Sequence, residues 1–458
     1  MAVDFGVKLP TKGPFFQFQV SKSTVEMTDF RTKILLFLAF GGLTDQSIPG
    51  FSQEQRPAQT DKAPSATISE KVFVEPMVAR VELRLTIGER EVDVIEKGDL
   101  LTILEEREKT FLVRTFRGVK GAIEKANLVT LAESVETYDE VIRANPKTGR
   151  FYTLRAGAHW ARGNSDKALS DFDEAIQLGY DSANAYSSRA LFLTASHSYD
   201  KAIEDFSKAM EKGDKTESTY INRAAAFLQI NKIDEAIADY SAAIELNDKN
   251  AGVLQQRATA YKVNGELDKA IADFSKAMEL SPNFIPATMG RGYVYFQKGD
   301  YGKSIESLEA GLKIKPENNG ALFDLGNAYY RSNKYSIAIS QYQKAIKRDP
   351  KFWAAINNIG LISYELGDKN AAIENWNRAI SIDPKAAEPL LALAAALFSQ
   401  GKQLEAYTTA EKALTLDSRY ADIKYLKDNL WGDKLITDTK KLIQTPRMRN
   451  FITKTPNR

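Results

Sequence analysis

Lys269–Phe284 reads KAIADFSKAMELSPNF, with Ala270, Phe274 and Ala277 followed by Pro282. Residues at i, i+4 and i+7 share one helical face, here narrow at its ends and bulky in the middle, and proline stops the helix. The stretch recurs at a fixed interval. Equivalents of Ala270 are Ala168, Ala202, Ala236, Ser304, Ala338, Ala372 and Ala406, each step being 34 residues. Prolines at the same phase are Pro282, Pro316, Pro350 and Pro384, while Tyr180, Asp214, Asp248 and Ser418 stand in the other copies.

Twelve residues before each anchor lies a small residue, Ala156, Ala190, Ala224, Ala258, Gly292, Gly326, Gly360 or Ala394. Three on come His159, Leu193, Phe227, Tyr261, Tyr295, Tyr329, Ser363 and Leu397. A small residue lets two antiparallel helices approach, and the larger one fills the gap. Repeats therefore start near residues 149, 183, 217, 251, 285, 319, 353 and 387. Before them, Ser134, Tyr138, Val141 and Pro146 keep the phase of a lone second helix. After Ser418, Ala421 to Trp431 reads as a closing helix, which terminal repeats need because an open end leaves an apolar face in water.

This period and the small-then-large pair resemble the tetratricopeptide-repeat (TPR) family. The resemblance implies a mainly α protein, a right-handed TPR α-solenoid of about eight repeats over residues 132–431. It also implies a protein-binding role.

Upstream, alternation replaces the helical period: Val72 and Val74, then Val81, Leu83 and Leu85, Leu101 and Ile103, and Phe111, Val113 and Thr115. Gly98-Asp99, Glu108-Lys109 and Arg117-Gly118 read as turns between strands. Val94 to Leu131 resembles bacterial SH3-like domains, implying a small β-barrel over residues 70–131. Phe111 and Ala122 replace the aromatics that line that family's peptide groove, which favours a structural or wall-associated role over proline-rich peptide recognition.

Residues 53–69, rich in Gln, Pro, Ala, Ser and Thr, read as a flexible linker. Within residues 1–52, Arg31 and Lys33 precede the apolar run Ile34–Leu43, which is too short to span a bilayer but suits a secretory signal. Starting at Met27 puts both in their normal places, so the expected location is exported, periplasmic or secreted, from a bacterial cell. The competing reading is an N-terminus carrying a stray apolar patch, with the protein cytoplasmic. Residues 432–458 form a basic tail, with seven Lys and Arg against Asp433 and Asp438, expected to be solvated and frayed.

A net charge of +2 gives no global case for nucleic acid or membrane. The absence of cysteine excludes disulfides and thiolate chemistry. Only two histidines are present, His159 at a packing position and His197 near a turn. No phosphate loop, HExxH or G-x-S-x-G motif appears, so neither enzyme nor cofactor is expected. The expected function is a non-catalytic scaffold holding an extended partner segment on its concave surface. Two alternatives are an architectural cell-envelope protein assembling through its ends and an adaptor for an enzyme on another chain.

In TPR proteins that clamp chaperone C-termini, cations on the first helices hold a carboxylate. Asn327 and Asn358 match that family's backbone-holding Asn pair, but Phe323, Glu388 and Ala392 stand where cations should be. A chaperone C-terminal carboxylate is therefore not an expected partner. The aromatic surround instead predicts a peptide-binding patch of Tyr293, Phe296, Phe323, Asn327, Tyr330, Asn358 and Tyr364. Finally, Arg155, Arg189, Arg223, Arg257 and Arg291 recur one residue before the small residue, and Asp171, Asp205, Asp239 and Asp273 recur three after the anchor. Both series end together, at Ser307 and Leu325, which predicts pairing across repeats: Asp171 with Arg189, Asp205 with Arg223, Asp239 with Arg257 and Asp273 with Arg291. Arg155 is left unmatched. These pairs serve stacking rather than a phosphate-tracking stripe.

Overall fold

A computed structural model describes residues 76–454 apart from 88, 89, 116 and 181. The Met27 signal, the linker and the strand at Val72 and Val74 lie outside the described residues. The chain divides into two compact units, with the boundary between Asn247 and Asp248.

The first unit opens with seven strands: β1 (Met77–Ala79), β2 (Leu83–Ile87), β3 (Arg90–Ile95), β4 (Leu100–Glu106), β5 (Thr110–Arg114), β6 (Lys120–Glu124) and β7 (Leu128–Thr130). Five form an antiparallel sheet in the order β6-β5-β4-β1-β7, and β2-β3 is a separate ribbon. Alternation along the strands turns Ala79, Leu101, Ile103, Val113 and Ile123 into one core with Leu85 and Ile95 of the ribbon. Asp93 ties ribbon to sheet edge, accepting from the Thr115 hydroxyl at 2.6 Å and Arg117 at 2.6 Å. The turns at Gly98 and Gly118 use positive φ, 91° and 81°, which glycine adopts freely.

Helices follow in the same unit: α1 (Val135–Ala144), α2 (Gly149–Ala161), α3 (Ser165–Gln177), α4 (Ala183–Ala195), α5 (Tyr199–Glu211), α6 (Glu217–Gln229) and α7 (Ile233–Leu246). The lone helix α1 is the predicted half repeat. Its Tyr138 is fully buried and donates to the Gly98 carbonyl at 3.1 Å, and Val78, Leu100, Leu131 and Val135 share a core with Leu154 of α2. The β module thus closes the apolar end of the first repeat.

The second unit holds α8 (Ala251–Val263), α9 (Leu267–Leu280), α10 (Ile285–Gln297), α11 (Tyr301–Ile314), α12 (Asn319–Arg331), α13 (Tyr335–Arg348), α14 (Trp353–Leu366), α15 (Lys369–Ile382), α16 (Ala387–Ser399) and α17 (Gln403–Leu416). Three more follow: α18 (Ile423–Asp428), α19 (Asp433–Ile443) and α20 (Pro446–Lys454). The first helices begin at the phases the period predicts. Between the first and second helix of every repeat one residue is left-handed: Gly163, His197, Asn231, Gly265, Gly299, Asn333, Gly367 and Gly401. Such a residue ends one helix and turns the chain into the next, so His197 serves a turn.

In the first seven repeats the small residue stands with a bulky one 16 positions later, and in the eighth Ala394 has Ala410 there. A β-carbon on Gly326 would lie 2.5 Å from Tyr342, and one on Gly360 would lie 2.6 Å from Trp376. Glycine thus stands opposite Tyr342 and Trp376, and also opposite Leu308, where a β-carbon on Gly292 would lie 2.8 Å from it.

Candidate functional site: the inner wall of the second unit

The 16-residue registry corrects the ion pairs. Arg189 donates to Asp205 from Nε at 2.6 Å and Nη2 at 2.8 Å, and Arg223 to Asp239 at 2.7 Å twice. Arg257 to Asp273 and Arg155 to Asp171 are built alike. Pairing is therefore within a repeat, not across repeats. Asp171 serves Arg155, Asp205 serves Arg189, Asp239 serves Arg223 and Asp273 serves Arg257. Each carboxylate lies one residue before the bulky residue and each guanidinium one residue before the small one, so both kinds of pair keep the same 16-residue separation. The spare arginine nitrogen reaches back to the preceding repeat: Arg155 to Asp139 at 2.7 Å, Arg189 to Asp173 at 2.6 Å, Arg223 to the Ser207 hydroxyl at 3.0 Å. Arg291 meets Ser307 at 3.2 Å and Ser275 at 3.3 Å instead of any carboxylate. The series stacks repeats, using the planar guanidinium to fasten two helices and touch a third.

On the first helices a second registry operates. Residues 31 apart on neighbouring first helices come together, as Asn327 of α12 and Asn358 of α14 do at 3.0 Å. The Asn327 Oδ1 accepts from Asn358 and from the Tyr342 hydroxyl at 2.7 Å, and Asn357 donates to Asn358 at 3.2 Å. All four side chains are buried. The Asn pair therefore holds the protein to itself, through the Asn327 carbonyl and the Asn358 amide.

Five of the seven predicted peptide-binding residues are corrected by burial: Phe323, Asn327, Tyr330, Asn358 and Tyr364. Phe323 packs on Tyr342 and Phe352, Tyr330 on Tyr335, and Tyr364 on Trp376. These first-helix rings pack against aromatic side chains of their own repeats. Tyr293 and Phe296 alone of the set keep exposed surface.

The basic tail is also corrected. It is helical and packs on this unit. Leu426, Leu430, Trp431, Leu435, Ile436, Leu442 and Met448 are each at most 3% exposed. That is the burial of a core, which a frayed end does not have. Helix α19 lies on α14 and α16. Glu365 accepts the backbone N–H groups of Leu435 at 3.1 Å and Lys434 at 3.3 Å, placing negative charge where a helix N-terminus has unpaired donors. The approach is close enough that a β-carbon on Gly432 would lie 2.1 Å from the Glu365 side chain. Arg331 caps the other polarity, donating to the carbonyls of Lys427 and Asp428 at the end of α18 at 2.8 and 3.0 Å. Trp431 donates to buried Glu388 at 3.0 Å, and Tyr364 to Asp438 at 2.8 Å. Burial pushes the Glu388 carboxyl up to about 7, with the Trp431 and Asn357 hydrogen bonds holding it back.

Earlier on the wall the side chains are only partly buried. Lys262 of α8, Tyr293 of α10 and Asp324 of α12 follow one another at the 31-residue stride, and all three keep some exposure. The Lys262 ammonium sits 5.0 Å from the Tyr293 ring centroid. Crowding by protein pushes Asp324 up to about 8, against the pull of Lys262, and lowers Lys262. Sequence reading missed Lys262 and Asp324 because neither charge recurs at its phase in the other repeats; the stride that groups them could have found them.

No metal-binding cluster of three or more His, Cys, Asp or Glu occurs among the described residues, and no described helix is long and apolar enough to cross a membrane.

The Tetratricopeptide repeat model matches residues 131–183, 155–216 and 221–283, and the TPR repeat model matches 292–333, 326–367 and 360–401. With the helix pairs and their registry, these matches make the helical part of this chain an array of tetratricopeptide repeats. Such arrays are in general non-catalytic modules for protein–protein interaction. Solved structures similar to this chain include YrrB, described as a TPR protein with an unusual peptide-binding site, at 23% identity over 41% of this chain and 97% of that one, TM-score 0.38. MamA is 26% identical over 36% and 96%, TM-score 0.33. A tetratricopeptide repeat protein from Parabacteroides merdae is 17% identical over 57% and 99%, TM-score 0.46. No curated protein matches the sequence.

Proposed function

We propose that this protein is a non-catalytic scaffold that holds an extended partner segment on the inner wall formed by α8, α10 and α12. The observation carrying this reading is the contrast along one wall: α14 and α16 are packed under the chain's own C-terminal helix, while Lys262, Met289, Tyr293, Phe296 and Asp324 keep exposed surface. Partly exposed rings beside charged groups give the anchors and polar contacts a bound segment needs. Assembly through the ends is less well supported, because the β module packs on α1 and α20 packs on α17.

The test is selection of a displayed library of random 12-residue peptides on the full chain. Selected peptides should lose binding to a Tyr293→Ala, Phe296→Ala double variant whose melting curve is unchanged. Failure to select any binder, or equal binding to the variant, would sink the reading.

The same proposal includes an SH3-like β module acting as an end piece rather than a peptide reader. Supporting this, Lys125 lies 5.1 Å over the Phe111 ring, where a groove would need a free aromatic. Export from a start at Met27 completes the proposal, and N-terminal sequencing of the natural product beginning at Met1 would refute it.

A further inference from the structure

Each of the last three first helices carries a single carboxylate: Asp324 on α12, Glu365 on α14 and Glu388 on α16. Two of them receive N–H donors from the chain's own C-terminal segment, Glu365 from the backbone of Lys434 and Leu435 and Glu388 from the Trp431 indole. The molecule thus displays its own mode of holding a segment on this wall, a carboxylate on the wall and a donor on the segment. Asp324 has no hydrogen bond or ion pair among the described residues. The nearest cation, Lys262, stands over the Tyr293 ring.

We propose that Asp324 is the seat for a basic side chain, arginine or lysine, of the partner segment. The inference rests on the wall reading above and adds the chemistry of what is bound. A cation suits Asp324 better than a neutral donor for two reasons. A carboxyl that crowding keeps from ionising recovers its charge when a cation arrives, and the charge-assisted bond is the stronger one.

Peptides selected on the full-length wild-type chain are aligned, and binding is measured for each peptide and for its version with the basic residue replaced by Ala. The expected result is Arg or Lys at one fixed position. Replacing it should cost about tenfold or more on wild type and little on Asp324→Asn. The change is isosteric, and the peptide-side replacement reads the same contact without altering the protein. Selected peptides with no fixed basic residue, with Trp, Asn or Gln at that position, or with a basic residue indifferent to Asp324→Asn would overturn the proposal while leaving the wall reading standing. Selection of no peptide at all would remove both.

Discussion

Arg189 grips Asp205 with two parallel hydrogen bonds across the two helices of a single repeat, and Asp205 is 2% exposed. Removing one member of a buried pair strands the other charge, at about 3–5 kcal/mol. Arg189→Ala, which leaves buried Asp205 without its cation, should therefore destabilise the protein by about that much, as read by denaturant unfolding, and Asp205→Ala by less because Arg189 keeps Asp173. A double-mutant cycle on Arg189 and Asp205 should give a coupling above the roughly 0–1 kcal/mol of exposed pairs. The cycle on Asp171 and Arg189, partners by the cross-repeat pairing, should return a coupling near zero.

Asn327 accepts two buried donors at once, the Tyr342 hydroxyl and the Asn358 amide. Asn327→Ala leaves the Tyr342 hydroxyl without its acceptor and the Asn358 amide with only the Tyr342 oxygen at 3.3 Å, and a buried donor stranded in this way costs about 1–3 kcal/mol. Lowered melting temperature is the expected outcome, with peptide binding affected only through that loss. A variant that melts like wild type would mean that water replaces the lost acceptor.

The repeat phase and the interlocking of small and bulky residues were legible in the sequence because helix pairing imposes them on copy after copy. The pairing of Arg with Asp was equally legible and was misread. The joint end of both series at Ser307 and Leu325 suggested contact between repeats, yet Ala190 and Phe206 already sit 16 apart, as do Arg189 and Asp205. Burial of Phe323, Tyr330 and Tyr364 was not legible, because helical phase fixes the wall a ring faces but not what lies on that wall. Nor was the C-terminal segment, whose sparse Leu435, Ile436, Leu442 and Met448 form a buried stripe only when α14 and α16 are there to receive them.

Glu388 gives the fold a pH signature. Its carboxyl is raised from an ordinary 4.5 to about 7, so the folded form holds the proton more tightly than the unfolded one. The stabilisation is complete below pH 4.5, falls as the pH climbs toward 7, and is flat above. Its size is up to about 3 kcal/mol. Unfolding measured across this range should show that decline in wild type and a flatter profile in Glu388→Gln. A wild-type profile matching the variant's would mean that Glu388 is ionised without penalty.

Truncation before Gly432 strips α19 from α14 and α16 and uncovers their apolar faces. The shortened chain should melt at lower temperature and bind a hydrophobic dye. Trp431→Ala alone should cost about 3–5 kcal/mol, the range for emptying a large buried aromatic site. Full stability of the truncated chain would assign the segment to the surface rather than the core.

Because neighbours on the inner wall are 31 residues apart in a chain whose period is 34, each first helix offers a given row three residues earlier than the one before, a shift of about 4.5 Å along the helix. Rows of recognition therefore run obliquely, and copying Lys262 or Asp324 into an adjacent repeat at the same repeat position would put it off the row. To extend or redirect specificity, a residue has to be moved by the oblique step, so Asp324 belongs next at position 355, where buried Ala355 now closes the row.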